Sequence, residues 1–207
     1  MSIPSTNSGL DADELLHLAM KAMDAGNHEA TIGYLKRGLA IAPDDGGLHY
    51  LLGAIHAELG MHDRAIAELT RATELAPHLE TAHFQLGLLH AARGDISRAM
   101  TAWQPIESLP SDHPLYLFRA GVLHLADENY EACISAIRDG IARNQEFAAL
   151  NDDMGRLITQ AEAALAAGRG RREPARQKPV TIEHAPSVNE AQHVLLSRYQ
   201  SGPEGGR

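Results

Sequence analysis

The sequence predicts an all-α fold, a solenoid of repeated helical pairs, on three observations. Residues 61–80, MHDRAIAELTRATELAPHLE, nearly repeat residues 27–46, NHEATIGYLKRGLAIAPDDG, at a spacing of 34. The same shift aligns Ala19, Gly53, Gly87, Gly121 and Gly155 in one register, small residues suited to close helix crossings. Leu and Ala are abundant while aromatics make up 4% of the chain, a composition that leans to helix rather than sheet.

Residues 1–11 are expected to be a disordered N-terminus. They carry no basic segment followed by an apolar one, and the chain has no run of about 18 apolar residues. A soluble, cytoplasmic protein without membrane insertion is therefore expected. The single Cys133 has no disulfide partner in the chain, which suits a reducing compartment. Past this leader, Gly26, Gly60 and Gly94 fall in register as turns between paired helices, with Glu128 in the fourth equivalent place. Thr31, Ala65, Ala99, Cys133 and Ala167 form another column, and Gly38, Ala72, Ile106 and Gly140 a further one. Pro43 and Pro77 close the first two units, and Pro110 falls one place short in the third. Apolar residues within each half-unit recur at helical spacing, as in Leu52, Ile55 and Leu59, then Ala65, Ile66, Leu69 and Ala72.

On these columns the sequence resembles the tetratricopeptide repeat family, whose 34-residue unit is a helix–turn–helix with small residues at the crossings and a closing Pro. The resemblance implies a right-handed superhelical solenoid with repeats over 12–147, as units at 12–45, 46–79, 80–113 and 114–147. A helix over 148–168 follows, with Met154, Leu157, Ile158, Ala161 and Leu165 on one side, and caps the open apolar end. The chain departs from the family where aromatic residues are usual on the first helix: those places hold Leu15, His49, His83 and Leu117, then Ala22, His56, His90 and His124. Pro105 stands inside the second helix of the third unit, which is expected to be short or kinked near Trp103.

The chemistry-bearing residue types point away from catalysis. The chain has 12 His, but residues seven apart on a helix lie about 10 Å apart along its axis, and stacked helices stand roughly 8–10 Å from one another. That is too far for nitrogens about 2 Å from one ion, so the His columns are expected to be packed or semi-buried stand-ins for aromatics. Cys133 at a crossing reads as a small buried hydrophobe. The sequence contains no GxSxG, P-loop, GxGxxG or HExxH pattern, and the 39 residues after Gly168 are too few for a catalytic domain. No enzyme activity, catalytic residue, metal or cofactor is expected.

In the family, the place after the His/Leu column and the one four residues later face the concave groove that binds peptides. The resemblance therefore implies a peptide groove lined by Tyr50, Phe84 and Phe118, with Ala54, Leu88 and Val122 beside them. Leu16, Met20 and Met23 extend it at the N-terminal end and Leu125 at the other. The Lys and Asn that grip a terminal carboxylate in some members are missing here, so a carboxylate clamp is disfavoured.

The net charge of −9 is uneven: residues to Gly168 have 11 Lys and Arg against 23 Asp and Glu, and those from Arg169 have 7 against 4. An acidic body disfavours nucleic acid as its partner, since phosphate contacts need clustered cations. Residues 169–186, opening with RGRREPARQKP, read as a basic flexible linker. Ser187 and Glu190 make a capping box for a short amphipathic docking helix over 187–200, striped by Val188, Ala191, Val194, Leu195 and Tyr199. Gly202 and Pro203 end it, and 201–207 is a disordered end. That helix is expected to dock on a second partner or back into the protein's own groove. The function expected is a non-catalytic adaptor or scaffold holding a partner segment. The alternatives are a secretion-type chaperone for an apolar segment of an exported protein, or a regulatory subunit of a separate enzyme.

Overall fold

The computed structural model describes residues 9–145 and 148–168. The expected linker over 169–186 and docking helix over 187–200 lie outside the described residues, as do positions 1–8 and 201–207. Among the described residues the chain is all-helical. Four helical pairs follow one another: α1 (Ala12–Asp24) with α2 (His28–Ile41), α3 (Gly46–Glu58) with α4 (His62–Leu75), α5 (Glu80–Ala92) with α6 (Ile96–Ala102), and α7 (Pro114–Ala126) with α8 (Tyr130–Arg143). A last helix, α9 (Ala148–Gly168), packs against α8 and α7.

Short polar residues start most of these helices. The Asp11 carboxylate accepts from the Glu14 amide while the Glu14 carboxylate accepts from the Asp11 amide, a reciprocal cap on α1. Asn27, Asp45, Asp95 and Asn129 cap α2, α3, α6 and α8 one-sidedly, each side chain accepting from a first-turn amide. The turn inside each pair is left-handed at one residue, with φ of +67° at Gly26, +70° at Gly60 and +77° at Gly94. Glu128 occupies the equivalent place at +57°, a conformation that an L side chain adopts at a cost.

The crossing column works through close approach. A Cβ on Gly53 would stand 2.8 Å from Leu69, one on Gly121 2.4 Å from Ile137, and one on Gly87 2.2 Å from the Trp103 indole. The residues that press on these glycines are themselves 34 apart, so each pair is locked by the same interdigitation with a different side chain. Gly155 departs from the column: nothing lies within 4 Å of its would-be Cβ, because among the described residues no second helix follows α9 to cross it. Ala167 likewise leaves its column, being exposed near the end of α9, whereas Thr31, Ala65, Ala99 and Cys133 are all buried.

The third pair is irregular where Pro105 stands. Helix α6 stops at Ala102, and after Trp103 a 3₁₀ turn runs from Gln104 to Ser108. Pro105 has no N–H to donate to the preceding turn, so the α-helical ladder cannot pass through it. The tighter turn still buries Ile106.

The apolar interior falls into two clusters that meet on α5. Ala82, Leu86 and Leu89 of that helix join the α1–α4 side, while Phe84, Leu88 and Ala91 join the α6–α9 side. Leu150, Met154, Leu157 and Ala161 of α9 are buried in the second cluster and cover its end.

Candidate functional site

The first helix of each pair lies in an inner layer and the second in an outer one, and burial follows that division. Eleven of the 13 residues of α3 are buried, against three of the 14 in α4. Within these pairs the helices cross at Gly53 on α3 and Gly87 on α5, and Thr81 and Gln85 lie on the flank of α5 away from that crossing.

The residues expected to line the groove lie on the first helix of each pair: Leu16, Met20 and Met23 on α1, Tyr50 and Ala54 on α3, Phe84 and Leu88 on α5, and Phe118, Val122 and Leu125 on α7. All ten are buried. Tyr50 and Phe118 are 0% exposed and Phe84 1%. The physical cause is packing between neighbours. Phe84 stands 6.3 Å from both Phe118 and Trp103, ring centre to ring centre, and the Phe118 ring fills the space where Gly140 lacks a side chain. In this state the row forms a floor rather than a set of free anchors. The docking-helix residues Val188, Ala191, Val194, Leu195 and Tyr199 fall outside the described residues.

Polar side chains set into this layer were not legible as site residues. The Gln85 amide nitrogen donates to the Tyr50 hydroxyl at 3.3 Å, linking α5 to α3 between successive units. Gln85 Oε1 and Thr81 Oγ1, one turn apart on α5, are buried with no hydrogen-bond partner among the described residues. Arg119, also buried, pairs with Glu107 of the preceding unit. A buried amide oxygen or hydroxyl without a partner costs about 1–3 kcal/mol.

The histidines have separate tasks. His49 Nε2 stands 3.0 Å from the Pro43 carbonyl and Nδ1 2.7 Å from Glu68. His83 repeats the arrangement, with Nε2 3.1 Å from the Pro77 carbonyl and Nδ1 3.2 Å from that of Ala102. Each therefore ties the loop before its helix to the outer layer, and a Pro six residues upstream of each His was the sequence signal. Burial pushes His56 below the ordinary imidazole range, with Glu68 opposing and Arg64 and Lys36 reinforcing the shift. Burial does the same to His90, against the pull of Asp95 and with Arg98 and Arg93 in support. Burial raises the Cys133 thiol to about 11, so it is a protonated hydrophobe at neutral pH. Among the described residues no group of three or more His, Cys, Asp or Glu is placed to hold a metal ion, and no helix is long and apolar enough to cross a membrane.

Comparison with known proteins agrees with this geometry. Residues 22–79 match the family model described as tetratricopeptide repeat. No curated protein matches the chain. Among solved structures the chain is similar to MamA, at 21% identity and a TM-score of 0.54, over 63% of this chain and 77% of that one. It is also similar to MamA from Desulfovibrio magneticus RS-1, taken from residue 41 to its end, at 17% identity and 0.54, over 78% and 97%. A third likeness is to the Thermobaculum terrenum O-GlcNAc transferase mutant K341M, at 28% identity and 0.52, over 67% of this chain. The chain spans 27% of that transferase, so the likeness carries repeat architecture and no transferase chemistry.

Proposed function

Because this is a tetratricopeptide-repeat chain, we propose that it is a non-catalytic adaptor whose inner face holds a segment of a partner protein. One observation carries the reading. The first helices of four successive pairs carry apolar residues at the same two places, 34 residues apart, and α5 adds two buried polar atoms without partners, Gln85 Oε1 and Thr81 Oγ1. Surfaces of this kind take an amphipathic helix or an extended apolar segment: burial against the floor supplies affinity, and the polar atoms fix register. The body to Gly168 has 23 acidic residues against 11 basic ones, which favours a segment with basic flanks.

The test compares two single substitutions in the full chain. Thr81→Arg places a charge on the inner face, and Met100→Arg changes a side chain of the outer layer that is 47% exposed. Proteins captured from native lysate by the wild type should be lost with Thr81→Arg and retained with Met100→Arg, at matched helicity by circular dichroism. Equal capture by both variants contradicts an inner-face site.

A further inference from the structure

We propose that His49 and His83 are proton-operated clasps, each tying the loop before its helix to the outer layer through both ring nitrogens only while the ring is charged. The inference stands on hydrogen-bond geometry and is independent of any partner and of the inner-face reading.

Each ring stands between two acceptors. His49 Nδ1 is 2.7 Å from a Glu68 carboxylate oxygen, and its Nε2 is 3.0 Å from the Pro43 carbonyl. His83 Nδ1 is 3.2 Å from the Ala102 carbonyl, and its Nε2 is 3.1 Å from that of Pro77. A carbonyl or carboxylate oxygen has no proton to give, so all four bonds require the ring to donate. A neutral imidazole has one N–H and one lone pair, whereas the imidazolium has two N–H groups. With a neutral ring, one nitrogen of each histidine would turn a lone pair towards an oxygen at hydrogen-bond distance.

The fold supplies these acceptors in two ways. Position 102 is alanine where the second pair has Glu68, 34 residues earlier, so in the third pair a backbone carbonyl stands in for the carboxylate. The helix break leaves that carbonyl over, because the Ile106 amide donates to the Trp103 carbonyl and does not continue the α-helical ladder to Ala102. Leu15 and Leu117 hold the equivalent place in the first and fourth pairs, which confines the clasps to α3 and α5.

The surrounding charges are mostly engaged elsewhere. In the loop beside His49, Asp44 pairs with Arg71 of α4 at 2.7 Å, and Asp45 accepts from the Gly47 and Leu48 amides. Glu74 of α4 shares Arg71. Lys36 of α2 and Arg64 of α4 act on His56, two turns along α3, as does Glu68. The loop before His83 has His78 and Glu80, while Arg98 of α6 pairs with Asp95, and Glu107 pairs with Arg119 of α7.

Acid therefore acts on α3 and α5 in two opposed ways. Below about 6.5, the ordinary imidazole value, a charged ring completes both bonds of its clasp, and that contribution is lost as the pH rises and the ring gives up a proton. Burial of His56 and His90 disfavours their charged forms over the same range. The loops tighten while the packing around His56 weakens.

The test uses the full chain, with isotope-labelled histidine and no partner. At about pH 5.5 both ring N–H protons of His49 and His83 should be seen by NMR, slowed in exchange by their bonds, while those of exposed His62 are lost to water. At about pH 8 one proton of each ring should be gone. Amide exchange at Asp45 and Leu79, corrected for its intrinsic pH dependence, should then rise by about threefold to tenfold relative to Gly60 and Gly94. The double variant His49→Leu, His83→Leu borrows the residue of the first and fourth pairs and should abolish that pH difference. One visible ring proton or none in acid overturns the clasp, as does loop exchange that keeps step with Gly60 and Gly94. A pH difference that survives in the leucine variant overturns it too. If that variant fails to fold, the ring protons and loop exchange of the wild type decide the matter alone.

Discussion

The indole nitrogen of Trp103 donates to the carbonyl oxygen of Phe84 at 3.0 Å, while its ring lies against the bare backbone of Gly87. Through this one contact the irregular third pair keeps the crossing that Leu69 and Ile137 make in its neighbours. A methyl at position 87 has no room, since the nearest atom would be 2.2 Å away and belongs to a ring fixed by its hydrogen bond. Gly87→Ala should therefore destabilise the fold by about 1–3 kcal/mol, read as a lower urea midpoint. Gly33, with nothing within 4 Å on exposed helix α2, is the control, and Gly33→Ala should stabilise by about 0.5–1 kcal/mol. Equal effects at both sites would remove the packing argument.

Glu128 holds the left-handed turn that glycine holds in the three preceding pairs. Glu128→Gly should raise stability by about 1 kcal/mol, because it relieves the strain of a side chain at positive φ. A thermal melt showing no gain would mean that contacts of the Glu side chain offset the backbone cost.

The lowered pKa of buried His56 makes the fold sensitive to acid. Its charged form is disfavoured in the folded state, so below the unfolded value of about 6.5 the unfolded chain binds more protons. Stability is complete above that value and is lost as the pH falls through the folded pKa. His90 acts in the same direction. His56→Phe removes the titrating group, along with a buried Nδ1 that has no partner among the described residues. Its melting temperature should fall less between about pH 7.5 and 5.5 than that of the wild type. A variant that loses stability as steeply as the wild type would show that His56 does not titrate against the fold.

Cys133 should resist labelling. Its thiol is buried between α7 and α8 with a pKa of about 11, so a maleimide at neutral pH should react only as fast as the protein opens, and denaturant should release the site. Rapid labelling of the native protein would contradict the packing assigned to that helix pair.

Much of the architecture was legible because it rests on backbone requirements that repeat. Glycine at a left-handed turn or beneath a crossing side chain is dictated by local sterics, so Gly60 and Gly53 announce their tasks in the sequence. Pro105 announced the end of α6 for the same reason. The exposure of the inner row was not legible, because burial depends on what faces a helix as well as on its own pattern. The resemblance implies a groove lined by Tyr50, Phe84 and Phe118, and neighbouring side chains pack them to 0–1% exposure. Gln85 and Thr81 were missed because a polar residue within an apolar helix carries no signal of the atoms it will face. His49 and His83 could have been found, since each follows a proline by six residues and its two ring nitrogens reach the loop on one side and the outer helix on the other.

The central claim is that binding takes place on the inner layer of the solenoid. Amide hydrogen exchange of the full chain, measured with and without the partner whose capture depends on Thr81, tests it most directly. The account predicts that added protection concentrates in α3 and α5 and extends to α1 and α7, with α4, α6 and α8 unchanged. Protection confined to the outer helices, or none in α3 and α5, would contradict it.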